Sequence, residues 1–212
     1  RKRPLDAQLA GLKDPATKAA LVDAVQNAVY GRRIGAESRP PKWEEFYYFD
    51  KPLPPYRSVA EIAAERGVHP IEAVIDLAVE TNLDAFFIQY LTRSSDEDTV
   101  TCLRHPSSIM TFSDSGAHVS QIADSSIQTH LLAYYVREKQ LLSLPEAVEM
   151  MTSRAARAWG FANRGLLREG FAADINVFDA ARVCPEMPRV VHDLPTGARR
   201  LAQGAKGIRA TV

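Results

Sequence analysis

The chain has 212 residues, with 26 Lys and Arg against 26 Asp and Glu, so its formal charge is zero. That balance, with no basic stripe and no basic-aromatic interleaving, argues against a nucleic-acid partner, and no apolar run reaches the length of a membrane span. The opening RKRPLDAQLAG lacks the apolar core of a signal peptide, and the lone cysteines Cys102 and Cys184 read as reduced thiols, so the expectation is a cytoplasmic protein.

In chain order, Asp14-Pro15 opens a helix, with Asp at the cap and Pro at the first helical position. Leu21, Val25, Ala28 and Val29 form its apolar stripe and Gly31 stops it. The next 26 residues, 32–57, are rich in proline and aromatics and read as a long loop with a short strand in WEEFYYF. Ser58 and Glu61 make a capping box for a helix running to Gly67, and Pro70 starts another. DAFFIQYL reads as a strand, and SSDEDTVTCLRH as a short helix stopped by Pro106. SIMTFS, residues 108–113, is apolar on both faces and suits a buried parallel strand. Long helices are expected over 126–139 and 143–159, the second with a capping box at Ser143 and Glu146, and FAADINVFD alternates like a strand with one wet face. Strands alternating with helices give an α/β layout with a parallel sheet, where ligands collect at the carboxyl ends of the strands.

Asp114 stands just after such an end. A carboxylate there can bind a metal or take a proton from water, whereas Ser-Asp-Ser-Gly is also ordinary turn chemistry. His118, four residues on, is open to the same two readings, as a ligand or proton carrier or as a structural hydrogen-bonding group. His69, His105, His130 and His192 are scattered, and His-x-His, HExxH and Cys-x-x-Cys patterns are missing from the sequence. His69 and His105 each precede a proline and mark helix boundaries. The aromatic group Trp43, Phe46, Tyr47, Tyr48 and Phe49 reads as core or a domain contact rather than as a substrate platform. Spacing alone yields one aspartate, one histidine and no complete site.

Several stretches together carry more. SDSGAHV, LSLPEAVEMMTSRAARAWGF, RGLLREGFAADINVFDAARV and HDLPTGARRLAQGAKGI, in that order, resemble the amidohydrolase superfamily, in its branch of N-acyl-D-amino-acid deacylases or D-aminoacylases. The resemblance covers residues 56–212 well and 1–55 loosely. It implies the C-terminal part of a metal-dependent (β/α)8 TIM barrel over residues 1–160, then part of a small β-sandwich over 161–212. It also implies a zinc cofactor, a small-molecule amide substrate and hydrolysis of a non-peptide amide C–N bond. Asp114 matches the aspartate ending the last barrel strand, a catalytic general base at the metal, and is the metal residue this chain would contribute. Ser113 and His118 belong to the same motif and are its candidate substrate-binding residues.

Two departures qualify the match. The family's His-x-His and its other metal ligands have no counterpart here, so the chain is expected to be part of a longer enzyme and inactive alone. The arginine that binds the substrate carboxylate in the branch is replaced by QIADSSIQ, with Arg93, Arg199 and Arg200 as substitutes to consider. A non-catalytic binding or assembly module, and a complete small α/β domain, are the rival readings. Homo-oligomerisation stays open.

Overall fold

The structure, a computed structural model, describes residues 3–30, 40–90, 94–111, 113–118 and 124–212, with only the backbone at Ala117, His118 and Asp124. The chain divides into two compact units, residues 1–93 and 94–212.

In the first unit, helix α1 (Leu5–Lys13) precedes α2 (Pro15–Gln26), and the Asp14 side chain caps α2 by accepting from the Thr17 amide at 2.9 Å. The expected stripe does not form a buried face. Helix α2 has no buried residue, Ala28 and Val29 lie beyond its end, and the proposed stop at Gly31 is outside the described residues. What ties α2 down is polar: Lys18 reaches Asp76 at 2.7 Å and Glu72 at 3.5 Å. A short strand does sit inside the long loop. Strand β1 (Phe46–Tyr48) follows a 3-10 turn (Trp43–Glu45) and pairs antiparallel with β2 (Phe87–Gln89).

Both capping boxes of this unit close. At α3 (Val59–Arg66), Ser58 Oγ accepts from the Glu61 amide while Glu61 accepts from the Ser58 amide. At α4 (Pro70–Glu80), His69 Nδ1 accepts from the Ile71 amide, so this histidine is a cap. One face of each helix buries Val59, Ile62, Ala63, Ala73 and Leu77, with Trp43, Phe46, Tyr48 and Phe87 packed against them. Of the aromatic group, Trp43, Phe46 and Tyr48 thus pack half-buried against this core, while Tyr47 and Phe49 are half-buried outside it. The Phe46 and Phe87 rings stack at 5.2 Å and Trp43 meets Phe46 edge-on at 6.1 Å, geometries that add to the burial itself.

The second unit begins with α5 (Asp96–Arg104), capped by Ser95 Oγ on the Asp98 amide. An extended segment, β3 (Ser115–His118), is followed by α6 (Ile127–His130), which runs into a π-helical segment (Leu131–Glu138). The single helix expected over 126–139 is thus two geometries end to end. The helix expected over 143–159 is also two, α7 (Leu144–Met151) and α8 (Ser153–Ala158), broken at Thr152 (φ −121°, ψ −91°). Gly165 explains why that junction stays open to a neighbour. With φ at +82°, a Cβ there would lie 2.9 Å from the Thr152 and Ser153 backbone, so only glycine lets the following loop approach so closely.

Three antiparallel two-stranded ladders complete the unit. Strand β4 (Asn176–Phe178) pairs with β9 (Ile208–Thr211), β5 (Cys184–Pro185) with β8 (Ala205–Lys206), and β6 (Arg189–Val191) with β7 (Arg200–Ala202). The core is Val100, Met110, Leu131, Leu132, Leu142, Ala147, Met150 and Val183.

The secondary structure is mixed α/β, as expected, but the parallel sheet is corrected. Among the described residues every strand pairing is antiparallel and two-stranded, and no barrel closes. Residues 108–111 are not a strand, Phe112 lies outside the described residues, and the extended segment falls at 115–118 instead. An apolar run becomes a strand only where a neighbour supplies ladder partners, and the described residues supply none beside 108–111. No helix of the described residues is long and apolar enough to cross a membrane.

Candidate functional site

The core delivers the chain to the candidate site from below. Met110 is 8% exposed and packs in the second unit's cluster; Thr111 and Ser113 are half-buried, and Asp114 is exposed. Of the described residues in this run only Met110 is buried, Ile109 being exposed, and the carboxylate of Asp114 stands in solvent beyond it. Ser113 Oγ accepts from the Ser115 amide at 3.3 Å, a local turn that leaves the Asp114 side chain outside it. Gly116 follows with φ at +101°, a conformation that a residue with a Cβ rarely adopts. Among the described residues, no donor or cation holds the Asp114 carboxylate, so its oxygens face water. His118 ends β3 on the same segment, four residues from Asp114.

The sequence thus places Ser113, Asp114 and His118 on one short stretch, and the structure adds a turn and an extended arm. It does not assemble a metal centre: among the described residues, no group of three or more His, Cys, Asp or Glu could hold an ion. The residues described do not by themselves fit the zinc that the family implies.

The arginines considered for a substrate carboxylate separate clearly. Arg93 is outside the described residues. Arg200 is engaged, its Nε and Nη2 donating to Asp193 at 2.7 and 2.6 Å, and that pairing holds the Asp193 carboxyl below its usual range. Arg199 is exposed. Arg104 is spent on Glu146 at 2.7 Å and on the Leu141 carbonyl at 2.9 Å, which ties α5 to α7 and lowers the Glu146 carboxyl.

In the first unit a cleft of about 260 Å³ is lined by Pro41, Lys42, Trp43, Phe46, Ile71, Val74 and Gln89. Its walls are nearly all apolar and Lys42 is paired with Glu45 at 3.2 Å, so it offers no acid-base group. The cysteines are both free thiols, Cys102 exposed and Cys184 half-buried.

Sequence reasoning passed over one polar cluster. His130, grouped with the scattered histidines, stacks on Tyr134 at 5.2 Å, and the Tyr134 hydroxyl donates to Asp96 at 3.0 Å. Asp96 also pairs with Lys139 at 2.9 Å. The spacing of His130 and Tyr134, four apart on one helical face, was the available signal; Asp96, 38 residues from Tyr134, was not.

Comparison with known proteins adds what the geometry lacks. The profile described as Amidohydrolase family matches residues 1–212. An N-acyl-D-glutamate deacylase of Alcaligenes xylosoxydans xylosoxydans is 48% identical over 68 residues, covering 32% of this chain and 13% of that protein. The N-acyl-D-aspartate deacylase of the same organism is 49% identical over 55 residues, covering 26% and 11%. Its D-aminoacylase is 33% identical over 137 residues, covering 63% and 27%. The matches thus span about a tenth to a quarter of these relatives' length. A solved N-acyl-D-glutamate deacylase from Bordetella bronchiseptica, complexed with zinc and a phosphonate inhibitor mimicking the tetrahedral intermediate, is 26% identical. It covers 93% of this chain and 41% of that one, with a TM-score of 0.44.

Proposed function

The chain belongs to the amidohydrolase family, and from that premise we propose that it is part of a longer zinc-dependent hydrolase that cleaves the amide C–N bond of N-acyl-D-amino acids. One observation carries the reading: the local identity to acyl-D-glutamate and acyl-D-aspartate deacylases reaches 48–49%, well above the 33% shared with the D-aminoacylase over a longer stretch. An acidic D-amino acid is accordingly the favoured amine half of the substrate. The family's (β/α)8 barrel is the architecture to which residues 1–160 would contribute, and 161–212 would contribute to the β-sandwich.

In this reading Asp114 is the proton carrier. Its exposed carboxylate takes a proton from the attacking water as the water oxygen bonds to the amide carbon. It then gives that proton to the nitrogen as the C–N bond breaks, so that a carboxylic acid and a free amine leave. Ser113 and His118 flank it as substrate contacts. The cofactor in this reading is zinc, with Asp114 as this chain's ligand and the others supplied from outside its described residues.

Metal removal tests this reading. Amine release from N-acyl-D-glutamate by a protein carrying this chain is expected to fall to background after dialysis against a chelator and to return with added zinc. Activity indifferent to the chelator overturns the zinc assignment. The 212-residue chain alone is expected to release no amine and to hold no stoichiometric zinc.

A further inference from the structure

Seven glycines among the described residues have positive φ, and six of them have a plain structural reason. Gly67 and Gly160 follow the last turns of α3 and α8, where a left-handed residue closes a helix. Gly170 and Gly197 stand in turns. At Gly165 and Gly207 a Cβ would lie 2.9 and 2.6 Å from neighbouring backbone, so close approach demands glycine. Gly116 has none of these reasons. It lies inside the extended segment β3, and among the described residues no atom comes within 4 Å of where its Cβ would stand. Packing leaves room for a side chain there, and what excludes one is φ at +101° alone.

We propose that Gly116 is a positioning residue for Asp114, its backbone conformation setting the direction in which the carboxylate is presented. The inference rests on the reading of Asp114 as proton carrier. Among the described residues the Asp114 carboxylate has no hydrogen-bond or ion-pair partner to hold it, so its aim depends on the backbone to either side. On one side the Ser115 amide donates to Ser113 Oγ at 3.3 Å and closes a turn around Asp114. On the other, Gly116 fixes how that turn joins β3. An alanine prefers negative φ, and the rotation from +101° would re-aim the turn, and the carboxylate it carries, relative to β3. Proton transfer needs the carboxylate within hydrogen-bond reach of the water, so a small error of aim falls on the chemical step. A backbone conformation closed to other residues, beside a reacting group and without a packing cause, is the kind of feature that functional sites retain.

The test is a double-mutant cycle of Gly116→Ala and Asp114→Asn in a zinc-loaded protein that includes this chain. It is read as amine release from N-acyl-D-glutamate, with a thermal unfolding scan of each variant. Gly116→Ala is expected to lower kcat by roughly 10–100-fold with KM changed less than about threefold. In the Asp114→Asn background the same substitution is expected to cost less than about twofold, because its effect runs through a carboxylate no longer there. Gly170→Ala is the matched control. Gly170 has φ at +81° and equally open space, so alanine meets a similar backbone penalty there and is expected to leave kcat unchanged.

An unchanged kcat in Gly116→Ala, the full loss repeated in the Asp114→Asn background, or equal losses at both glycines overturns the positioning role. Full turnover in Asp114→Asn instead defeats the proton-carrier reading, and the positioning role falls with it. Should Gly116→Ala not fold, Gly116→Asn carries the same cycle, asparagine being more tolerant of positive φ. Failure of that variant to fold as well makes the glycine a requirement of the fold and overturns the role.

Discussion

Replacing Asp114 by asparagine in a protein that carries this chain and turns over its substrate is expected to lower kcat by roughly 10²–10⁴-fold while leaving the fold intact. The two halves of that expectation have separate causes. Asparagine matches aspartate in size but cannot accept the water's proton, so the loss falls on the chemical step. Asp114 is exposed and unpaired among the described residues, so nothing in the core depends on its charge, and a change of stability within about 0.5 kcal/mol is expected. The check is steady-state amine release beside a thermal unfolding scan of both proteins. Undiminished turnover in Asp114→Asn would remove the residue from the chemistry.

The second large effect is in the core. Met150 is 1% exposed on α7 and packs among Val100, Met110, Leu131, Leu132, Leu142, Ala147 and Val183. Met150→Ala removes the side chain beyond Cβ from a site walled by two helices, the π-helical segment and the residue leading into β5. Such truncations cost about 2–5 kcal/mol, a large share of the 5–15 kcal/mol that typically holds a domain together. Leu167, 85% exposed, is the matched control: Leu167→Ala should stay within about 0.5 kcal/mol. Urea unfolding of the three proteins reads the difference directly. A Met150→Ala midpoint no lower than that of Leu167→Ala would mean that this cluster is not the unit's core.

Local chemistry was the most legible part of the sequence. Ser58 with Glu61 and Ser143 with Glu146 mark helix starts because a cap is settled within four residues, and each forms as read. The features that were missed depend on distant partners. The break at Thr152 comes with the approach of Gly165, thirteen residues on, and the helical stripe of 143–159 contains no trace of it. The π-helical turn is equally hidden. Its apolar residues suit an ordinary helix, and the departure shows only in bonds such as Lys139 N–H to the Tyr134 carbonyl. SIMTFS illustrates the same limit from the other side, since its apolar run suits a buried strand and no described neighbour supplies a ladder. At the candidate site the sequence located Asp114 by motif, and the structure adds its exposure and the turn at Ser113. The arginine question was legible only in outline, because the pairing of Arg200 with Asp193 is a side-chain contact that its position in the chain does not announce.

The central claim is that Asp114 serves a hydrolase acting on acyl derivatives of acidic D-amino acids. The most direct measurement is free amino acid released from N-acyl-D-glutamate and N-acyl-L-glutamate, side by side, by a zinc-loaded protein that includes this chain. Release from the D-isomer at a rate well above that from the L-isomer is the predicted result. A zinc-loaded sample that releases amine from neither isomer, or equally from both, would contradict it.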